Sequence, residues 1–590
     1  MRSPNAPEPN ALRTAMLRPM DRPTPPPRRE FLLLTSAALA ALPLSACALT
    51  MVGGGSGRDE LESEVVILGG GLGGCAAALA VCRSGRRAVL VEPDAWLGGQ
   101  LTNQAVPPDE NRAIESGGSS QTYRELRELI REHYRRGDLT EAARADRRLN
   151  PGGGFVSGFC CEPLVALAAL DELLAPHVAS GRLQLLTEHE WVAGEVEGDR
   201  IRSVTVRAPD GSKLVLRGRL FLDASEEGDV LELLGVEHVI GAEGRAEHGE
   251  PSAPEEADPL DQQAITWCLA MDHVPGEDFT GAAPAGWERW GGYRPELTPP
   301  WTGPLFSLVG SHPVTLEPRQ YGFVPPEIGR AAERTAAPNL FAYRQVVNPE
   351  IWSQGASMTA VTLVNWPQND AMETPLFGPG IGPEERARAL REAREVSLGL
   401  LHWLRTECPR PDGGAGWPGL RLRGDIVGTE DGLARRPYIR EARRLRAEFT
   451  VTEQHVSPEL RPAEADGSRR AASFRDTCGI GHYRIDLHPS TSGRNYVDLD
   501  CLPFEVPYGA LLPRRVENLL SAGKSMGTTH LTNGAYRLHP VEWGVGEAAG
   551  LAAVECLERD LEPRALRARD ALLEAYQARL SREGVLLRWS

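Results

Sequence analysis

From Val65 to Leu68 the chain is continuously apolar, and the run stops on glycine. Four apolar residues bounded by a turn signal predict a strand buried on both faces. Gly69-x-Gly71-x-x-Gly74 follows, with small residues through Leu79, which predicts a tight turn into a closely packed helix. A second apolar run, Ala88 to Val91, ends in Glu92. Between Arg182 and Leu222 the pattern alternates, with turn signals at Glu197-Gly198-Asp199 and Pro209-Asp210-Gly211, so short antiparallel strands are expected. Gln121 to Arg136 predicts a strongly charged helix, most simply a solvated face, and Pro163 to Leu174 a second one. The stretch from Gly241 to Asn495 is rich in Pro, Gly and Trp, with helices expected near Pro383 to Thr406 and Tyr438 to Arg446. Val516 to Lys524 reads as a strand ending in glycine, and Gly544 to Ala553 opens a small-residue helix. Together these elements predict an α/β fold: a discontinuous, three-layer Rossmann-type nucleotide domain with an inserted mixed α+β substrate domain.

Each glycine of the first loop has a physical task. Gly69 permits the turn, Gly71 lets backbone approach a pyrophosphate, and Gly74 lets helix and strand pack closely. The helix N-terminus then offers unpaired N–H groups to that phosphate. Glu92, about twenty residues on at the end of the second strand, is placed to bond ribose hydroxyls. After it, the doublet ending in Gly99, with Gln100, Thr102 and Asn103, would lie along an extended cofactor toward a flavin ring, a plain turn being the alternative. Asp223, with Asp229, is a candidate for polar contact with the cofactor, and capping of the next helix explains it equally well. Gly523 and Lys524 end the last strand; the helix containing Gly546 would aim its positive end at the flavin pyrimidine, with Lys524 adding charge. No second GxGxxG follows a strand, since Gly378-Pro-Gly-Ile-Gly382 lies between turns. Enzymes that feed NAD(P)H electrons to a disulfide carry two such domains.

Composition and charge narrow the picture. A chain of 590 residues suggests two or three domains, and a net charge of -17 argues against nucleic acid as a partner. The expected boundaries are a leader over 1–48, a flexible linker over 49–62, and a nucleotide domain in two parts, 63–235 and 501–590. Its first part includes the small antiparallel sheet at about 182–222, and the substrate domain fills 236–500. Within the leader, Arg28-Arg29 precedes a modest apolar run, the pattern of a Tat signal, which predicts export to the cell envelope or periplasm. Leu44-Ser45-Ala46-Cys47 resembles a lipobox that would make Cys47 a lipid anchor, the one expected membrane contact; Ala46-Cys47-Ala48 also fits ordinary cleavage. The 10 cysteines show no C-x-x-C and no metal spacing, so no metal is expected. Adjacent Cys160 and Cys161 are read as ordinary thiols, a strained disulfide between them being the alternative.

Val65 to Thr102, Phe221 to Val230, Pro437 to Arg444, Asp476 to Arg484 and Asn518 to Ala553 together resemble the broad family of FAD-dependent oxidoreductases with a single Rossmann domain. That family is similar in sequence to the flavin subunit of heterodisulfide reductase, but the four-cysteine run of an iron–sulfur cluster is missing here. The resemblance implies FAD as cofactor and a substrate domain lying over the isoalloxazine. Flavin oxidation of an alcohol or amine needs a base for the heteroatom proton while hydride goes to flavin. Candidates gather on two segments. His482, Tyr483, Arg484 and His488 form one, and His530, Asn533, Arg537 and His539 the other. His530 or His482 is the expected base, with Arg484 and Arg537 orienting an anionic or polyhydroxyl substrate; binding of backbone around the cofactor is the competing role. Tyr438, Arg440, Arg443 and Arg444 form a further patch, on the substrate or on a charged helix face. The expected partners are a small-molecule substrate and an electron acceptor (oxygen, quinone or an envelope carrier). A reductase running the opposite way, or a non-redox FAD protein acting on or binding envelope polysaccharide, are the alternatives.

Overall fold

A computed structural model describes residues 59–589. The expected leader, Cys47 and nearly all of the expected linker lie outside the described residues. The continuous apolar run becomes β1 (Asp59–Leu68), which leads through the glycine turn into α1 (Leu72–Arg83) and then β2 (Ala88–Glu92). After α2 (Gln121–Arg135) and α3 (Pro163–Ala179) come β3 (Leu183–Thr187), β4 (Glu190–Glu197), β5 (Arg200–Arg207) and the long β6 (Lys213–Asp223). They form one sheet in the order β3-β2-β1-β6-β5-β4. β1, β2, β3 and β6 are parallel, whereas β4, β5 and the first half of β6 make an antiparallel meander. Leu183–Thr187, expected among the antiparallel strands, pairs in parallel with β2 because the preceding α3 returns the chain to the same edge.

The rest of the chain adds a second sheet and then returns to the first. β7 (Leu269–His273), β8 (Gln345–Val347), β9 (Val361–Val364) and β10 (Leu420–Leu422) are antiparallel in the order β8-β9-β7-β10. The long helix α4 (Pro383–Thr406) packs near them, and buried Trp290, Trp366, Phe323, Phe341 and Leu400 share that core. The last strand, β11 (Leu519–Ser521), lies parallel against the second half of β6, with Leu519 opposite Phe221 and Ser521 opposite Asp223. Two helices follow, α5 (His530–Tyr536) and α6 (His539–Arg559). α1 and α6 pack face to face through small residues: a Cβ on Gly546 would fall 1.9 Å from the Gly73 carbonyl oxygen. The result is a mixed α/β fold with a parallel core, whose other face buries Val66, Leu68, Val91 and Phe221 against Val204 and Leu216 of the meander.

Two expectations about helices change. Tyr438–Arg446 is extended, with Arg444 and Leu445 pairing Val239 and His238, because buried Arg440 and Arg444 need partners on several sides rather than on one helix face. α2 is not a solvated face either. Arg127 and Arg131 are buried, their guanidiniums 4.8 and 4.9 Å from the Phe159 ring centre, and Arg127 pairs with buried Glu110 at 2.8 Å. Cys160 and Cys161 are both free and buried.

Candidate active site at the carboxyl edge of the sheet

The sheet register brings the ends of four strands level. Leu68 stands opposite Val91 and Asp223, and Asp223 opposite Ser521, so the glycine turn, Glu92, Asp223 and Gly523-Lys524 share one edge. Ligands of open α/β sheets bind at such an edge. Gly69 has φ +113° and a Cβ there would lie 2.1 Å from the Ala224 carbonyl oxygen; at Gly74 it would lie 1.9 Å from the oxygen of Gly69. Both therefore serve close backbone packing. Gly71 faces side chains instead, with its Cβ position 2.8 Å from Glu226 Oε1 and 2.9 Å from Glu542 Oε1. The Gly98-Gly99 turn closes against the same loop: the Gly98 N–H donates to the Gly70 carbonyl at 2.7 Å, and Gly99 (φ +51°) has its Cβ position 2.2 Å from Glu226 Oε1.

Charged groups line this cradle. Glu92 accepts from the N–H groups of Gly70 at 2.7 Å and Asp94 at 2.9 Å, and burial pushes its carboxyl up to about 8. Lys524 is buried, donates to the Ile439 carbonyl at 2.9 Å and lies 2.6 Å from Glu226. Burial alone would lower its pKa, but Glu226 and Glu542 raise it above its ordinary value. Glu542 accepts from the Gly73 N–H at 3.3 Å and from Gln100 Nε2 at 2.5 Å. Gln100 Nε2 also donates to the Arg537 carbonyl at 3.0 Å. Asp223 is turned to structural use: it accepts from Ser225 N–H and Oγ and from Ser525 Oγ, tying the end of β6 to the end of β11. At Gly523 a Cβ would meet nothing closer than 3.5 Å, leaving the backbone open. Gly546 lies two turns inside α6, which begins at His539, and its contact is Gly73 rather than a ligand.

Beyond the cradle lies a cluster of buried polar side chains, the polar chamber, that joins the two candidate segments to residues from elsewhere. Arg537 donates from Nη1 to the Tyr438 hydroxyl at 2.5 Å and from Nη2 to the Asp486 carbonyl at 3.0 Å. Arg344, at the head of β8, lies 3.5 Å from Asp109. The Asp109 N–H in turn donates to His539 Nδ1 at 3.3 Å, while His539 Nε2 bonds the Val106 carbonyl at 3.2 Å. That pair of bonds fixes His539 neutral, and burial holds its pKa down at about 3. On the far side, His488 Nδ1 lies 2.5 Å from Asp370 Oδ2, and Asp370 is fixed by Arg440 at 3.3 Å and by Thr266. Burial pushes the Asp370 carboxyl up, and Arg440 and His488 together more than reverse this.

The sequence-selected residues do not all meet here. Arg537 is in the chamber. His530 is buried at the other end of α5, its Nδ1 lying 3.4 Å from Glu243, which also pairs with Arg444 at 3.1 Å. His482 is half-buried, its ring edge-on to Trp589 with centres 6.0 Å apart. Arg484 faces outward and pairs with Asp498 and Asp500 at the edge of a short hairpin. Sequence reading missed Arg344, Asp109 and Asp370 as site residues. Arg344 and Asp370 sit in stretches without a motif, and only the polar run after the Gly98-Gly99 doublet pointed toward Asp109.

The unpaired polar lining suits a flavin dinucleotide. Gln100 Oε1, Asn103 Oδ1, Gln104 Oε1 and Asn533 Oδ1 are sealed from solvent with no hydrogen-bond partner among the described residues, although buried polar atoms are normally paired. These amide oxygens are acceptors without donors, and a flavin dinucleotide carries donors for them in its ribose and ribitol hydroxyls and ring N–H. A parallel-core sheet with this fingerprint, one nucleotide loop and a polar chamber at its carboxyl edge defines a flavoprotein oxidoreductase. The family described as FAD dependent oxidoreductase matches residues 64–580, and the chain belongs to it. Its cofactor is FAD.

No curated protein matches the chain in sequence. Among solved structures it is similar to a p-nitrophenol 4-monooxygenase from Pseudomonas putida, at 13% identity and TM-score 0.31 over 89% of each chain. It is also similar to a geranylgeranyl bacteriochlorophyll reductase-like protein from Thermoplasma acidophilum, at 10% identity and TM-score 0.30, over 89% of this chain and 85% of that one. A match to L-proline dehydrogenase from P. horikoshii, at 13% identity and TM-score 0.17, covers 33% of this chain and only 26% of the dehydrogenase.

Proposed function

We propose that the protein is an exported FAD-dependent oxidoreductase that moves hydride between a small polar substrate and FAD, with His488 handling the substrate's proton. The observation that carries this reading is the His488–Asp370 pair, 2.5 Å apart beside the buried chamber. Nδ1–H donates to the carboxylate, which leaves Nε2 as the nitrogen that takes up a proton. Asp370 stays ionised beside Arg440, so it also stabilises the imidazolium that forms. Bound FAD supplies the hydride acceptor. Removing the proton from a hydroxyl or amine raises electron density on the carbon that releases hydride, and such base catalysis contributes roughly 10²- to 10⁴-fold. Arg537 and the Tyr438 hydroxyl hold the substrate's polar group, while Tyr496, edge-on to the His488 ring with centres 5.6 Å apart, helps exclude water. On this reading His530, held among Glu243 and Arg444, steadies the site from behind.

Mixing holoprotein without oxygen with a panel of small alcohols, amines and hydroxy acids, and following the visible flavin absorbance, tests the reading. At least one compound should bleach the flavin, and His488→Gln should slow that bleaching by about 10²-fold with FAD content unchanged. Equal rates in the two proteins would remove His488 from the mechanism. Bleaching by none of the panel, with rapid reoxidation after chemical reduction, would reverse the direction and favour a reductase fed by an electron carrier. Export rests on Arg28-Arg29 and is tested apart from the chemistry. Replacing both by Lys should leave the protein in the cytoplasmic fraction, and unchanged recovery in the envelope fraction would count against it.

A further inference from the structure

We infer that Arg344 and Arg537 form an anion-recognition site inside the chamber, and that the substrate is a small carboxylate. The inference rests on the proposed oxidoreductase reading for the word substrate, and on geometry for the binding site. Both guanidiniums are buried: Arg344 is 8% exposed and Arg537 2%. Their partners do not use up their donors. Arg537 spends Nη1 on Tyr438 and Nη2 on the Asp486 carbonyl, leaving Nε without a partner among the described residues. Arg344 reaches Asp109 only through Nη2 at 3.5 Å, and its Nε and Nη1 have no partner there. A buried donor left unpaired costs about 1–3 kcal/mol, so three on two neighbouring arginines mark a place built to receive an acceptor.

The two arginines share neighbours. Asp109, Tyr483 and Asp486 interact electrostatically with Arg537, and Asp109 and Tyr483 do so with Arg344. His539 lies within reach of both, and its neutral form adds no competing charge. Arg presents planar, forked donors that match the two oxygens of a carboxylate, which a neutral hydroxyl cannot satisfy. Asp109 is the one carboxylate paired with Arg344. Burial raises its pKa despite that arginine, which weakens its claim on the guanidinium. A carboxylate ligand would then stand between two cations, and the Tyr438 ring, which both Arg537 and Arg440 approach, links them to Asp370 and His488.

Titration calorimetry with the holoprotein kept free of oxygen, which limits flavin reduction to a single turnover, tests this. The probes are glycolate, its uncharged counterpart ethylene glycol, and inorganic phosphate. Glycolate should bind at least about 30-fold more tightly than ethylene glycol, the scale expected for a buried charge-assisted pair. Arg344→Met alone would strand Asp109, so the variant is Arg344→Met with Asp109→Asn, checked for FAD content. It should lose about 30-fold in glycolate affinity. Equal binding of glycolate and ethylene glycol to the wild type, equal glycolate affinity in the double variant, or tighter binding of phosphate than of glycolate would each overturn the assignment. The wild-type comparison decides the matter if the variant fails to hold FAD. Should carboxylates not bind while a neutral alcohol or amine still bleaches the flavin, the carboxylate inference falls and the oxidoreductase reading stands.

Discussion

At the scale of single residues, Glu542 is the group most at odds with its surroundings. It sits on the Gly73 N–H, at the helix end where a pyrophosphate would lie, and Glu226 stands beside it. Burial, then Glu226, raises its pKa, while Lys524 and the bonds from Gln100 and Gly73 work the other way. Two carboxylates facing a dianionic cofactor repel it, so Glu542→Gln should tighten FAD binding several-fold near neutral pH, read from quenching of flavin fluorescence on titration. Weaker binding would instead make the carboxylate a positive contact for the cofactor. At this scale the sequence was informative where chemistry is local. Gly69, Gly71, Gly74 and Glu92 follow from a strand, a turn and a spacing. His488 appeared in the sequence only as one of several histidines. The role proposed for it depends on Asp370, brought to it across more than a hundred residues of chain. Arg344 carried no signal at all, because its meaning comes from Asp109 and Arg537 in space.

At the scale of elements, the contact between α1 and α6 sets how the nucleotide loop is presented. Gly73 is squeezed from two sides: its own Cβ position is 1.9 Å from the Ala522 oxygen, and the Cβ position of Gly546 is 1.9 Å from the Gly73 oxygen. Backbone atoms cannot yield as a flexible side chain can. Gly546→Val should therefore lower stability by about 1–3 kcal/mol or more in denaturant unfolding and also weaken FAD retention, since parting the helices moves Gly71 and Gly73. A variant that unfolds more easily yet keeps full FAD affinity would separate the helix contact from the loop. The strands β1 and β2 and the helix α4 were readable from apolar pattern and caps. Tyr438–Arg446 misled because a charged stretch normally reads as a solvated helix face. Here it is an extended, buried ribbon of arginines, and nothing in its spacing distinguishes the two.

For the whole molecule, pH dependence follows from the groups that burial shifts among the described residues. Burial raises Glu92 to about 8 and both Glu250 and Glu547 to about 7, and lowers His539 to about 3. A carboxyl with a raised folded pKa contributes stability below its unfolded pKa and loses it as pH climbs through the folded value. A histidine with a lowered pKa contributes above its unfolded value and loses this as pH falls. Between about pH 7 and about 8 most histidine is neutral in both states and the raised acids dominate, so the Tm of protein stripped of FAD should fall as pH rises through that window. Glu92→Gln should flatten the fall, and a Tm that rises instead would show that these carboxyls are already ionised. The parallel core and its nucleotide loop were legible as a whole, because period and turn chemistry agree there. The strand that completes the sheet, β11, comes from the far end of the chain and falls inside the strand read at Val516 to Lys524. That closure governs how the protein is made. The second half of β6 has β1 on one side but lacks β11 on the other, and α1 lacks the helix packed against it, until residues 519–559 have left the ribosome. A nascent chain can therefore build its second sheet first, but it cannot form the FAD cradle until residues 519–559 have followed. Truncation ahead of residue 519, which removes both β11 and α6, should yield fragments that never turn yellow.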